Sequence, residues 1–573
     1  MTLLDEPAPI APEPVPTPTV QRVRSWKIDM PYLTHADLRP VKWHLYLAFI
    51  GLLLGVLMGF LQAMERGGAN LYDDVPVIET YYQGLTLHGV ALALVFTFSF
   101  ANSFMTLLTM RGFGRPMASR GLLEASLWCG WAGTALAAWA ILANKATVMF
   151  TFYAPLGATP AFYIGAVLLV VSTWLTLANQ LLTLRAWRRD NVGARIPLMS
   201  YTSIVTMLMW FLASTGIAVE VLVFLLPWSL GLRDAVDPQF TRILFWFSGH
   251  PIVYFWLLPI YVSWYTLLPR QVGGKIYSDG LTRIVFLTFL LLLPVGVHHQ
   301  FTDPGIPFSS KTIQWLLTFG IFFPSMVTAF SVVAALEQGG RKRGGRGWFG
   351  WITKLPWNDP SVAGQLLAGL AFALGGASGL INASYTVNLV VHNTSFIVGH
   401  FHLTVGTAVG LSIMAISYWM VPYLTGKQLF APGLAVAQVW AWFIGVLIFA
   451  RGQMWGGIDG VPRRTQLRDA VYYGDNDWGT ATLFTAVGGL IMFVGGVLFF
   501  VVIVGTIFNK RVVSETQVIP VAEIEHGSRS TWRVLDSLGT WTIIAVVLSV
   551  VVYGEVLAHY LPLTEVSPPI RPW

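Results

Sequence analysis

The sequence is poor in charge and nearly free of cysteine. Only 11% of its 573 residues are Asp, Glu, Lys or Arg, against 55% hydrophobic residues. A soluble globular chain carries about 25% charged residues. The deficit excludes a soluble domain and makes this an integral membrane protein. The lone cysteine, Cys129, excludes both an intrachain disulfide framework and a thiolate metal cluster. The opening stretch "MTLLDEPAPIAPEPVPTPTV" lacks the basic start and apolar core of a signal peptide. Its prolines and acids read as a disordered tail, residues 1–38 with the lead-in. No repeat of fixed period is present, which argues against the two-halved plan of many transporters. The net charge of +7 does not mark a nucleic-acid surface, because the lysines and arginines lie between apolar spans.

What is abundant is long apolar sequence. A spanning helix needs about 20 mostly apolar residues, and 13 segments qualify: 41–64, 78–110, 121–143, 158–187, 197–228, 239–268, 281–300, 312–337, 359–383, 388–423, 432–451, 478–508 and 539–562. The expected fold is an all-α bundle of about 13 transmembrane helices forming one domain over 39–565. The N-terminal tail and every second loop after it, with the adjoining helix ends, hold 25 of the 35 Lys and Arg. The positive-inside rule then puts the N-terminus in the cytoplasm and the C-terminus outside.

Of the 11 histidines, six fall inside predicted spans: His88, His250, His298, His299, His400 and His402. Ionisable residues within membrane helices mark functional sites. His88, His250 and His400 come about 10 to 12 residues into spans that start outside, roughly 15–18 Å deep at 1.5 Å per residue. His298 and His299 come late in a span that runs outward. All six therefore gather in the outer half of the membrane. Successive helical residues turn about 100°, so His400 and His402 point to opposite sides of their helix and serve two different planar cofactors. Neutral imidazole is a common axial ligand of haem iron. One of the two rings suits a five-coordinate haem, and the other pairs with a histidine of another helix, His88 being the obvious candidate. His250, His298 and His299 remain, and three imidazoles suit copper, zinc or iron. Pro294 and Gly296 loosen the helix before the adjacent pair.

The segments "GHPIVY" (249–254), "VHHQF" (297–301), "HNTSFIVGHFH" (392–402) and "GVPRRT" (460–465) together resemble subunit I, the catalytic subunit, of the haem-copper terminal oxidases, over roughly residues 40–510. The resemblance implies that His88 and His402 ligate a low-spin haem and His400 a high-spin haem. It implies that His250, His298 and His299 hold a copper ion, with dioxygen reduced to water between copper and haem. Tyr254 lies one helical turn after His250, on the same face. In the family this tyrosine is linked to the histidine and supplies a proton and an electron. The resemblance further implies a partner subunit II with a dinuclear copper centre, cytochrome c as donor, a small single-helix subunit, and a bacterial or archaeal cytoplasmic membrane.

The pattern looks like the B-family, with a b-type low-spin and an a-type high-spin haem. Many relatives carry a glutamate two residues after the "GHP" histidine, where this chain has Ile252. Tyr254, Tyr261 and Tyr265 instead form a stripe running toward the cytoplasm. Ser325, Thr328 and Ser331 form a second stripe on another span, and facing hydroxyls of this kind relay protons through water. Arg463 and Arg464 break the positive-inside trend. By resemblance they hold the haem propionates, with His392 and Asn388 beside them, Asn388 standing where compared relatives have aspartate. A nitric oxide reductase would share the six histidines but use iron and nearby acids, against which Tyr254 argues. A quinol-fed oxidase and a non-redox transporter are the remaining alternatives.

Overall fold

The computed structural model describes residues 27–467, 474, 476–527 and 532–571. The proline-rich opening, residues 1–26, lies outside the described residues. Among the described residues, twelve helices are long and apolar enough to cross a membrane. In chain order they are α1 (His35–Arg66), α2 (Tyr81–Phe113), α3 (Arg120–Leu142), α4 (Pro160–Asp190), α5 (Leu198–Ser229), α6 (Pro238–Val272), α8 (Phe308–Lys342), α9 (Pro360–Ala383), α10 (Phe396–Thr425), α11 (Pro432–Ile458), α12 (Gly479–Ile507) and α13 (Leu538–Leu563). Between α6 and α8 lies a shorter helix, α7 (Asp279–Leu291). Local sequence sets several starts: Thr80, Ser119, Asp237, Ser278 and Asp359 each accept a bond from the first turn of the helix that follows, satisfying donors that a helix start leaves unpaired.

The expected span 281–300 is not one helix. Helix α7 stops at Leu291, the chain is non-helical through Gly296, and a single 3₁₀ turn covers Val297–Gln300. Pro294 cannot donate a helical hydrogen bond, and this break frees the chain to fold back. The expected span 388–423 is likewise divided: Tyr385–Val391 is a short separate helix, and α10 begins only at Phe396. Asn388 lies in that short helix and His392 in the turn after it.

Helix α2 is the central element; 89% of its apolar window is buried, against 22% for α8 and 17% for α13, which form the rim. Close approach depends on small residues, as membrane helix contacts generally do. A Cβ on Gly133 of α3 would stand 2.7 Å from the Gly165 carbonyl of α4, and one on Gly488 of α12 would stand 2.2 Å from the Phe449 amide of α11. At one end, Ile276–Ser278 pairs in parallel with Ile524–His526. At the other, the C-terminal segment bridges Val236 through Ser567 and Leu156 through Ile570.

Candidate metal centre

Helix α6 is interrupted at His250, which separates a helical run ending at Gly249 from one starting at Pro251. The break lets His250 face the 3₁₀ turn that carries His298 and His299. One ligand atom from each ring lies within 4.8 Å of the others. His250 Nδ1 is 2.9 Å from His299 Nε2, and His250 Nε2 is 2.5 Å from the Tyr254 hydroxyl. Trp246 stacks flat on His299 at 3.9 Å. Thr318 of α8 donates its hydroxyl to the Gln314 carbonyl at 2.6 Å, so its oxygen accepts from His298 Nδ1–H at 3.0 Å. That fixes the tautomer of His298 and leaves Nε2 with its lone pair.

The same logic fixes three more rings. Carbonyl oxygens only accept, so an Nδ1 against a carbonyl carries the proton. His88 Nδ1 donates to the Gly55 carbonyl at 2.7 Å, His402 Nδ1 to Val398 at 2.8 Å, and His400 Nδ1 to Gly375 at 3.0 Å. Each keeps Nε2 as a ligand atom. The His88 and His402 rings lie 11° from parallel with centroids 6.3 Å apart. His400 turns the other way, toward Ser378 and Gly379 of α9. The two histidines of the α10 segment thus face opposite neighbours.

Beyond the ends of these helices lies a positive cluster. Arg463 donates to Asn393 Oδ1 at 2.9 and 3.1 Å, Arg464 donates to Thr151 at 3.2 Å, and Arg242 lies over the Tyr153 ring. Burial and the neighbouring Arg464 charge push Arg463 down to about 9, and burial with the Arg463 charge pushes His392 down to about 4. The Tyr153 hydroxyl and His392 Nε2 are buried without a hydrogen-bond partner. His392 Nδ1 donates to Asn388 Oδ1 at 3.1 Å, which ties Asn388 to this cluster.

Toward the opposite end, Tyr265 donates to Thr328 at 3.0 Å. The hydroxyls of Ser325, Thr328 and Ser331 donate to carbonyls one turn back on α8. The Tyr261 hydroxyl faces Ser325 and Thr328 but is buried without a direct hydrogen-bond partner.

Six histidines set among membrane helices as a facing pair, a single ring and a three-ring cluster define a membrane-embedded haem and metal redox protein. Residues 39–491 match the sequence model of the family "Cytochrome C and Quinol oxidase polypeptide I". The chain is similar to cytochrome c oxidase subunit 1 of Thermus thermophilus, 42% identical over 96% of this chain and 100% of that one. It is also similar to cytochrome c oxidase polypeptide 1 of Halobacterium salinarum, 28% identical over 68% of this chain and 66% of that one. A haem-copper terminal oxidase solved as a dimer by cryo-electron microscopy superposes with a TM-score of 0.90 at 36% identity, over 94% of this chain and 96% of that one. The chain belongs to this family, the subunit I polypeptides of the haem-copper terminal oxidases.

The donor set fits the groups that the family implies. With a metal–imidazole bond of about 2.0–2.1 Å and about 1.1 Å from nitrogen to ring centre, imidazoles on opposite sides of one iron have centroids about 6.3 Å apart. That is the His88–His402 spacing. Two ligands at right angles on one ion sit about 2.9 Å apart at the same bond length, as His250 and His299 do. The cluster of Arg463, Arg464 and Tyr153 offers donors and positive charge to carboxylates. Sequence reading missed Thr318, Ser378, Trp246, Tyr153 and the Gly55 and Gly375 carbonyls. All act across helix contacts, and a neighbour in space leaves no local mark in the sequence.

Proposed function

We propose that this subunit reduces dioxygen to water with electrons from cytochrome c and protons from the cytoplasm, coupled to proton pumping. The observation that carries the reading is the three-histidine cluster with the Tyr254 hydroxyl 2.5 Å from His250 Nε2. The proposed domain is the bundle 39–565, which α1 enters from His35, behind a cytoplasmic tail and lead-in, with the C-terminus outside, in a bacterial or archaeal cytoplasmic membrane. Subunit II with its dinuclear copper centre delivers the electrons, and a small single-helix subunit completes the complex. When bound, a low-spin b-type haem, a high-spin a-type haem and a copper ion supply electron transfer and dioxygen chemistry.

The residues of this chain have separable roles. His88 and His402 hold the low-spin haem, His400 the high-spin haem, and His250, His298 and His299 the copper. Arg463 and Arg464 neutralise the propionates, with His392 and Asn388 beside them. Tyr254 keeps a proton at its hydroxyl beside His250, and the family's link between the two side chains is proposed here as well. Tyr261, Tyr265, Ser325, Thr328 and Ser331 carry protons inward. Tyr265 and Thr328 are in direct contact, and a water at the unpartnered Tyr261 hydroxyl would close the next step. Ile252 in place of a gating carboxylate leaves this stripe as the input route, which supports the B-family reading.

Metal content and reduced spectra with and without carbon monoxide test the proposal. About two irons and one copper for this subunit, besides any copper of a partner, with one of two haems binding carbon monoxide, are expected. Iron in place of copper would move the reading to nitric oxide reductase, and absence of haem would overturn it. His298→Ala should lose copper and activity while keeping the low-spin spectrum; retention of copper would refute the ligand assignment.

A further inference from the structure

Helix α13 lies wholly beyond the matched region, which ends at residue 491, and it sits on the rim of the bundle. Its inner face nevertheless reaches the candidate centre. The buried Tyr553 hydroxyl accepts from the Gly296 amide at 3.0 Å and donates to the Trp246 carbonyl at 3.3 Å. These two groups belong to the two segments that carry the cluster. Trp246 lies one turn before His250 in α6 and stacks on His299. Gly296 opens the 3₁₀ turn, and its carbonyl accepts from the His299 amide at 3.1 Å. The segments meet so closely that a Cβ on Gly296 would lie 1.9 Å from the Trp246 carbonyl and 2.4 Å from the Tyr553 oxygen.

The contact does not stand alone. Ile243 of α6, Val297 and Ile306 of the ligand loop, and Tyr553, Val556 and Tyr560 of α13 form a small apolar cluster separate from the main core. On the same helix, Glu555 accepts from Ser309 at 2.5 Å and Ser310 at 2.8 Å, at the start of α8. Tyr560, within the cluster, donates to Asp237, which caps the helix leading to His250.

We infer that Tyr553 is a positioning residue for the three-histidine centre: its hydroxyl ties the His250 helix to the His298–His299 turn and so sets the spacing of the ligands. The inference rests on the proposed assignment of those histidines to copper. The end of α7 at Leu291 calls for such a tie, because the turn is not held by a helix of its own. Groups that orient metal ligands typically change metal affinity 10- to 100-fold when removed. Tyr553 acts through backbone, so the lower end is expected.

The experiment is Tyr553→Phe in the assembled oxidase, scored as copper per haem in excess of the partner's dinuclear centre against rising concentrations of a copper chelator. The chelator concentration that removes half the copper should fall about tenfold, with the low-spin haem spectrum unchanged. Val556→Ala, which thins the same apolar cluster and spares the hydroxyl, should leave that midpoint near wild type. Equal shifts in both variants, no shift in Tyr553→Phe, or joint loss of copper and low-spin haem would each overturn the inference. Wild-type enzyme without copper would instead strike down the metal assignment on which it rests.

Discussion

Replacing Thr318 by valine removes one oxygen and almost no volume, and it should weaken copper binding far more than it weakens the fold. Thr318 is committed at both ends: its hydroxyl hydrogen goes to the Gln314 carbonyl at 2.6 Å, and its oxygen accepts from His298 Nδ1 at 3.0 Å. Valine takes the Thr318 acceptor from the buried His298 ring, to which the Val295 carbonyl is the remaining backbone partner. A fully orphaned buried donor costs about 1–3 kcal/mol, which bounds this loss at a factor of roughly 5 to 100 in an equilibrium constant at 1.4 kcal/mol per tenfold. The ring has a second way to respond. It can carry its proton on Nε2 instead, which blocks the ligand atom, so ion binding must first reverse that change. Both effects act on the ion-bound state. The expected result is a 10- to 100-fold loss of copper affinity with an unaltered low-spin haem spectrum, read by metal analysis during chelator titration. Thr318→Ser restores the oxygen and should restore the affinity. Wild-type copper retention in folded Thr318→Val would refute the tautomer argument, and with it the claim that Nε2 of His298 is a ligand.

Two further outcomes separate the other parts of the site. A methyl group in Gly59→Ala would stand 2.9 Å from His88 Cε1 and 3.1 Å from its Nδ1, so the ring must move; the low-spin haem spectrum should shift while copper stays bound, and an unchanged spectrum would count against His88 as a haem ligand. Tyr265→Phe removes the hydroxyl that reaches Thr328 and should slow turnover at least about tenfold while leaving all metals in place; wild-type turnover would show that protons enter elsewhere.

The bundle and the partition of its histidines were legible because both follow from short-range rules. Apolar length marks a span, and the two-residue spacing of His400 and His402 sends them to opposite neighbours whatever those neighbours are. The breaks were only half legible. Pro294 and Gly296 signalled a loosened helix, yet α7 ends at Leu291 and leaves five residues without helix before the turn. The stretch 388–395 reads as span because Leu389–Val391 adjoin the apolar run that starts at Phe396, but Tyr385–Val391 is a separate short helix. Thr318 and Tyr553 were not legible at all. In an apolar helix that is greasy on every side, nothing in the sequence distinguishes the face toward a partner from the face toward lipid.

The sites where ordinary helix fails are also the sites where the histidines stand, and this follows from the physics of a membrane interior. A regular helix satisfies its own backbone and points each side chain at a fixed angle, so it can bring few rings to one point. Here His250 falls at the break between Gly249 and Pro251, and His298 and His299 fall in a 3₁₀ turn. His402 opens an eight-residue π-helical stretch, and His88 is followed within three residues by another of six. Such wider turns are frequent at functional sites because they reset the angular register of the residues around them. Non-helical backbone survives at membrane depth only where other protein groups satisfy it. The Tyr553 hydroxyl on the Gly296 amide and the Gln314 side chain on the Val297 amide at 2.7 Å are such groups. Catalytic geometry and backbone satisfaction are therefore one problem in this bundle, and residues distant in sequence solve it together.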